Sequence, residues 1–359
     1  MSTFMRRLAI VMTLSGISQP GWAAGYSAMY SFGDSFSDTG NLVGALAAQP
    51  IEKVLAWWPP FAIPGYADGF YQGRPTNGPS AVEYLAGSLG VGLTNYAWTG
   101  ALSGHGNVLP FVNTDIGQTG LSDQIGTHLS ATGVADANAL YFVWGGHNDF
   151  WGLGQALPNS IDDASRRDAL TRAGMQAADD IAANVSTLIG AGARNIIVLD
   201  SISLEYEPFW APFYASDPAL RGLLHDGVNA MNDRLGGLLG AIDGSNAGLN
   251  LMHFDTQKWY EDTIAGVLAG ARPGGLTNAQ DPCFAYDGAA FAACGAPGEY
   301  FFWDSIHLST QAYSMLAGEL ASAVAAPVPE PSAALLFPLG LGALLLRRRL
   351  HRPALFAVA

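Results

Sequence analysis

Ala28-Met29-Tyr30-Ser31-Phe32, followed at once by Gly33-Asp34-Ser35-Phe36-Ser37-Asp38, is the stretch from which the fold can be read. Its first five residues make a short and nearly unbroken apolar run, the pattern of a strand buried on both faces of a parallel sheet. Gly33 ends the run. Asp34 and Asp38 are residues whose short polar side chains hydrogen-bond a turn. The spacing predicts a strand over 28–32, a turn carrying Ser35 off its carboxyl end, and a helix beginning near Asp38. Ligand sites of open α/β sheets lie at those carboxyl edges, and a helix entering there aims its positive end at the site.

Further runs of the same kind, 139–144, 195–199 and 249–254, read as more parallel strands. Amphipathic helical patterns over 162–189, 218–242 and 309–324 alternate with them, and Ala-Gly-Ala-Arg at 191–194 turns the first of these into the next strand. No repeat or long low-complexity linker interrupts the body of about 300 residues, which suits one α/β domain around a single core. The run at 139–144 leads into Gly145-Gly146-His147-Asn148-Asp149, so this segment and Ser35 converge at one sheet edge although more than a hundred residues separate them.

Near the other end stands Trp303-Asp304-Ser305-Ile306-His307. A serine hydroxyl is a poor nucleophile until a base takes its proton. His307 can be that base if Asp304, one turn away, fixes its tautomer. Acyl transfer also needs donors already aimed at an oxyanion. A glycine N–H in Asn95-Tyr96-Ala97-Trp98-Thr99-Gly100-Ala101 and the amide of Asn148 can supply two.

With these four segments the chain resembles the SGNH hydrolases, also called GDSL-like lipases and esterases, whose blocks place Ser, Gly, Asn and His in this order. The resemblance implies a three-layer α/β/α sandwich with a parallel, flavodoxin-like sheet. It implies Ser35 as nucleophile, Asp304 and His307 completing a triad, and the Ser35 N–H, Gly100 and Asn148 as oxyanion donors. Phe36 stands where Leu gives the family its name, Leu308 where Pro is common, and His147 at the variable place of the third block. Gln72-Gly73-Arg74-Pro75-Thr76-Asn77-Gly78 and Glu299-Tyr300-Phe301-Phe302 look like the bacterial phospholipase, lecithinase and haemolysin branch. The implied activity is hydrolysis of carboxylic esters, lipid or lysophospholipid esters first and O-acetyl groups on an extracellular polysaccharide as the alternative. No cofactor and no metal are implied. A surface binding or matrix protein on the same fold is the contrasting reading, against which the intact Ser35, Gly100, Asn148, Asp304 and His307 argue.

Residues 1–23 place Arg6 and Arg7 before an apolar run and end in Gly21-Trp22-Ala23, the form of a secretory signal. The hydrolase domain is expected over 24–326. Beyond it, 327–359 hold Pro327-Val328-Pro329-Glu330-Pro331, an apolar stretch of fifteen residues from Ser332 to Leu346, and Arg347-Arg348-Arg349. This tail resembles the PEP-CTERM sorting signal of Gram-negative bacteria, which implies export, transient membrane contact through the tail and an exosortase-type processing partner. A plain uncut anchor is the alternative. The chain carries 16 − 30 = −14 formal charges, and with six arginines in the two end segments the body over 24–331 carries 10 − 30 = −20. Such a body does not seek nucleic acid. The only cysteines, Cys283 and Cys294, should pair in an oxidising compartment, where a short closed loop gains roughly 3 kcal/mol and pins the segment delivering Asp304 and His307. Two free thiols are the alternative.

Two aromatic stretches, Trp57-Trp58-Pro59-Pro60-Phe61 with Tyr66, Phe70 and Tyr71, and Tyr206 with Phe209-Trp210, Phe213 and Tyr214, either wall an acyl pocket or cover a core face, the commoner role. His105, His128, His147, His225 and His253 show no metal spacing and no carboxylate partner that the sequence assigns. His147, next to Asn148, either touches substrate or packs behind Asn148, the commoner role, and Asp149 is expected to order the Asn148 loop.

Overall fold

The computed structural model describes residues 25–156 and 161–325. The expected secretory signal and sorting tail lie outside them. The central sheet has five strands, β1 (Met29–Gly33), β2 (Leu93–Asn95), β3 (Leu140–Trp144), β4 (Asn195–Leu199) and β5 (Asn250–Phe254), all parallel in the order β2-β1-β3-β4-β5. Four match the expected runs to within a residue or two. The sequence reading missed β2, which has three residues, sits at the sheet edge and is only half-buried.

Every residue of β3 is buried, and the alternating side chains feed two different cores. Tyr141 and Val143 join α4 (Leu121–Thr132), α6 (Asp163–Ala191) and α7 (Leu220–Ser245) on one face. Leu140, Phe142 and Trp144 join α3 (Ala81–Leu89), α8 (Thr256–Leu268) and α9 (Thr310–Ala325) on the other. Three layers result because a strand apolar on both sides must be covered on both sides. The expected long helices are α6, α7 and α9, displaced by one to three residues at their ends.

Three shorter helices, α1 (Asn41–Ala47), α2 (Ile51–Trp57) and α5 (His147–Ala156), stand after β1 and β3. The helix expected near Asp38 thus starts at Asn41 and is one short element. Its first N–H groups are taken by Asp38 Oδ1, which accepts from Gly40 at 2.8 Å and Asn41 at 2.7 Å. Asp38 thus caps the start of this helix.

Beyond α8 the chain builds two small sheets that the sequence reading took for a loop. Strand β6 (Asn278–Pro282) pairs with β9 (Tyr300–Phe302), and β7 (Phe284–Tyr286) forms a hairpin with β8 (Phe291–Ala293). A Cys283–Cys294 disulfide closes the hairpin. Phe284 stacks on Trp303 at 5.2 Å, and its N–H donates to the Trp303 carbonyl at 2.6 Å, so the closed hairpin is fastened to the residue before Asp304.

Candidate active site

In the order β2-β1-β3-β4-β5 the connections leave β1 and β3 in opposite directions, so the gap between those strands is the point where the topology switches. Ser35 follows β1 there, and Gly145 to Asn148 follow β3. Gly33 must be glycine at this narrow place, since a Cβ would lie 2.4 Å from the Trp144 carbonyl oxygen across the gap.

Hydrogen bonds to buried carboxylates hold the turn around Ser35. Asp34 Oδ1 accepts from the Phe36 N–H at 3.1 Å. Asp38 Oδ2 accepts from both the N–H and the hydroxyl of Thr99 at 2.8 Å, which fastens the turn to the segment bearing Gly100. Gly100 has φ +82°, and a Cβ there would meet Asn107 Oδ1 at 2.3 Å. Among the described residues nothing accepts the N–H of Ser35 or of Gly100, so both remain open to an oxyanion. Asn148 Nδ2 donates to the Ala101 carbonyl at 2.9 Å, which fixes the amide and leaves its second hydrogen free. Asp149 accepts from the Ser103 N–H at 3.0 Å and its hydroxyl at 2.8 Å, ordering the Asn148 loop as expected.

His307 and Asp304 sit in one tight turn. Asp304 Oδ1 accepts from the N–H groups of Ile306 and His307 at 2.8 and 2.7 Å, and Asp304 Oδ2 lies 2.8 Å from His307 Nδ1. Burial pushes the Asp304 carboxyl upward, but His307 and these N–H donors outweigh it and hold the acid below its usual range. With Nδ1 bound to the carboxylate, Nε2 is the free acceptor. It is enclosed and takes no hydrogen bond among the described residues. The segment is held from behind by the stretch 72–78, where Thr76 Oγ1 donates to the Leu308 carbonyl at 2.8 Å and Asn77 Oδ1 accepts the Thr310 N–H at 2.8 Å.

Ser35, Gly100, Asn148, Asp304 and His307 all line one cavity of about 510 Å³. Its remaining wall is mostly apolar, with eight aromatic side chains. Trp58, Tyr66 and Phe70 come from the first aromatic stretch, Phe209 from the second, Trp151 from α5, and Phe284, Tyr286 and Phe291 from the closed hairpin. Each stretch is thus divided between the two roles considered, with Trp57 stacked on Phe111 and Trp210 buried in the core. A larger hollow of about 730 Å³ beside His105 is open to solvent and contains none of the candidate residues.

The sequence profile of the GDSL-like Lipase/Acylhydrolase family matches residues 29–320, the span holding all of these residues. The chain belongs to that family. As a GDSL-like acylhydrolase it is a carboxylic ester hydrolase. It is similar to solved structures of a lipolytic G-D-S-L protein from Veillonella parvula (14% identity, covering 82% of this chain and 96% of that one, TM-score 0.40) and of phospholipase A1 from Streptomyces albidoflavus (11%, 83% and 99%, 0.43). An extracellular lipase from Streptomyces rimosus is similar at 14% identity, 83% and 99% coverage and TM-score 0.41. No curated protein matches the sequence.

Some site neighbours of this acylhydrolase were invisible in its sequence. Gln124 on α4 brackets the Gly33 peptide, accepting its N–H and donating to its carbonyl, both at 2.8 Å. Glu207 is buried with Oε1 at 2.8 Å from His147 Nε2, and it accepts the Trp210 indole N–H at 3.1 Å. Burial lowers the His147 pKa, but Glu207, Asp34 and Asp149 outweigh this and raise it overall. Phe36, at the leucine position of the motif, packs its ring 4.8 Å from His147 and 5.5 Å from His307. Four of the five other histidines, for which the sequence assigned no carboxylate, have one in the structure: His105 pairs with Asp123, His147 with Glu207, His225 with Glu205 and His253 with Asp200. Each partner comes from a distant segment, so spacing along the chain carried no signal.

Proposed function

We propose that this acylhydrolase cleaves esters of medium or long acyl chains, lipid or lysophospholipid esters foremost, through an acyl-enzyme on Ser35. In this reading His307 Nε2 takes the Ser35 proton as Oγ attacks the ester carbonyl, and the resulting oxyanion receives the N–H groups of Ser35 and Gly100 and the Asn148 amide. The C–O bond to the alcohol then breaks, and His307 returns the proton to the leaving oxygen. Water, deprotonated by the same nitrogen, repeats the sequence on the acyl-serine and releases the acid. Asp304 stabilises the imidazolium and fixes its tautomer.

The observation that carries the substrate reading is the aromatic wall, with Trp58, Phe70, Phe209, Phe284 and Phe291 in the same cavity as Ser35. An acetyl group leaves most of that surface uncovered, whereas each further methylene buried there contributes about 0.8 kcal/mol, or roughly fourfold in kcat/KM. A series of p-nitrophenyl esters from acetate to decanoate tests it. The expected result is a climb of roughly this size per methylene up to a plateau. A maximum at acetate favours the O-acetylesterase alternative and overturns the lipid reading. For its setting we propose export, on the composition of 1–23, with the Pro-Glu-Pro tail at 327–359 processed by an exosortase-type enzyme. Mass spectrometry of the C-terminus in native material tests this. An intact peptide spanning 347–359 in the mature protein overturns processing.

A further inference from the structure

At the same edge of the sheet, between the loop after β4 and the starts of α7 and α8, lies a group that ester hydrolysis does not use. Glu205, His225 and Glu261 bring two carboxylates and an imidazole together, with one ligand atom from each all within 4.8 Å of one another. Glu205 is only 4% exposed. Its Oε1 sits 2.7 Å from His225 Nδ1, while Oε2 is enclosed and takes no hydrogen bond among the described residues. A buried carboxylate oxygen without a partner is costly, so each such atom calls for an explanation. Glu261 accepts from the Ser203 hydroxyl and from Gln257 Nε2 at 3.2 Å, whereas Glu205 Oε2 has no donor among the described residues, and a dication is one group that can bind both carboxylates.

We propose that Glu205, His225 and Glu261 form a binding site for a divalent transition-metal cation of the Zn²⁺ or Mn²⁺ kind. One imidazole among oxygen ligands suits such ions better than Ca²⁺ or Mg²⁺, which prefer all-oxygen shells. In a tetrahedral shell, ligand bonds of about 2.0–2.2 Å set ligand atoms about 3.4 Å apart. With ligand atoms up to 4.8 Å apart, a contraction of up to about 1.4 Å is required, taken up by rotation of the half-buried His225 and Glu261 side chains on their helices. The His225 side chain is 45% exposed, which gives the ion an entry path and room for water ligands. The cation takes the place of the proton between His225 Nδ1 and Glu205 Oε1, and that proton leaves to solvent.

Such an ion ties the helices α7 and α8 to a loop that reaches the ester site. Two residues beyond Glu205, Glu207 meets His147; two further on, Phe209 lines the acyl cavity, and its N–H donates to the Ser305 carbonyl at 2.8 Å. The ligands stand twenty and thirty-six residues apart in sequence, which is why no metal spacing announces them.

The test uses the full chain, stripped with a chelator and dialysed, then titrated calorimetrically with ZnCl₂, MnCl₂ and CaCl₂. The expected result is one equivalent of Zn²⁺ or Mn²⁺ bound with proton release and little response to Ca²⁺. At a hundredfold excess over Kd the melting temperature should rise by about 5 °C. Glu205→Gln, His225→Gln and Glu261→Gln should each weaken binding at least tenfold. The last two change half-exposed helix positions, so they report even if Glu205→Gln fails to fold. Absence of stoichiometric binding, a preference for Ca²⁺, or wild-type affinity in the folded His225→Gln and Glu261→Gln proteins would each overturn the assignment.

Discussion

Removing the hydroxyl of Ser35 and removing the amide of Asn148 are losses of different kinds. Ser35→Ala leaves no atom to acylate, so turnover and fluorophosphonate labelling should both vanish. Asn148→Ala should keep labelling but lose about 100- to 1000-fold in turnover, because one oxyanion donor of three is gone. Asp304→Asn should fall by about 10⁴-fold through the wrong imidazole tautomer while circular dichroism stays unchanged. Rapid hydrolysis by a folded Asp304→Asn protein would mean that His307 is oriented by something else. The four site segments were legible in the sequence because acyl transfer demands particular side chains in a particular order. Gln124 and Glu207 were not. Each acts by completing hydrogen bonds of residues far away in sequence, and a lone Gln or Glu on a helix or loop has no local pattern that separates it from a solvated one.

At the scale of elements, the strands that carry site residues were readable since a strand buried on both faces is written as a run of apolar residues. The three-residue pieces were not: β2 is half-buried, and the β7–β8 hairpin mixes Phe284 and Tyr286 with alanines and shows no alternation long enough to recognise. Yet that hairpin contributes Phe284, Tyr286 and Phe291 to the cavity that holds Ser35, and its disulfide lies beside the contact between Phe284 and Trp303. Opening the disulfide should therefore do more than cost stability. A Cys283→Ser, Cys294→Ser protein should lose roughly 3 kcal/mol of stability, and its kcat/KM should fall more for long acyl esters than for acetate. The measurement is the ratio of the two rates before and after the substitution. An unchanged ratio alongside a lowered melting temperature would show that the disulfide braces the fold without shaping the pocket.

For the whole molecule, the many buried acids set how stability depends on pH. Asp34 and Asp149 are raised to about 6, in both cases mainly by burial, partly offset by His147 for Asp34 and by Ser103 for Asp149. A carboxyl whose folded pKa exceeds its unfolded value binds more protons when folded, so its contribution is present in acid and is lost as pH rises through the folded value. His147 and His253 are raised as well, and their contribution fades as pH climbs above the ordinary imidazole range. Asp304 and Glu83 are lowered and work in the opposite sense, losing stability only when the solution becomes more acidic than an ordinary carboxyl. The formal charge of −14 adds mutual repulsion on the alkaline side. Stability should accordingly peak near pH 5, and the melting temperature should fall steadily from there to about pH 8. Asp149→Asn isolates one contributor, because the amide keeps the shape of the carboxyl but does not titrate. The stability of the wild type relative to this variant should drop by about 1 kcal/mol between pH 5 and pH 7, the part of the Asp149 shift that falls in that window. Scanning calorimetry of both proteins across this range decides it. A constant difference between the two proteins would show that Asp149 is ionised as easily in the folded chain as in the unfolded one.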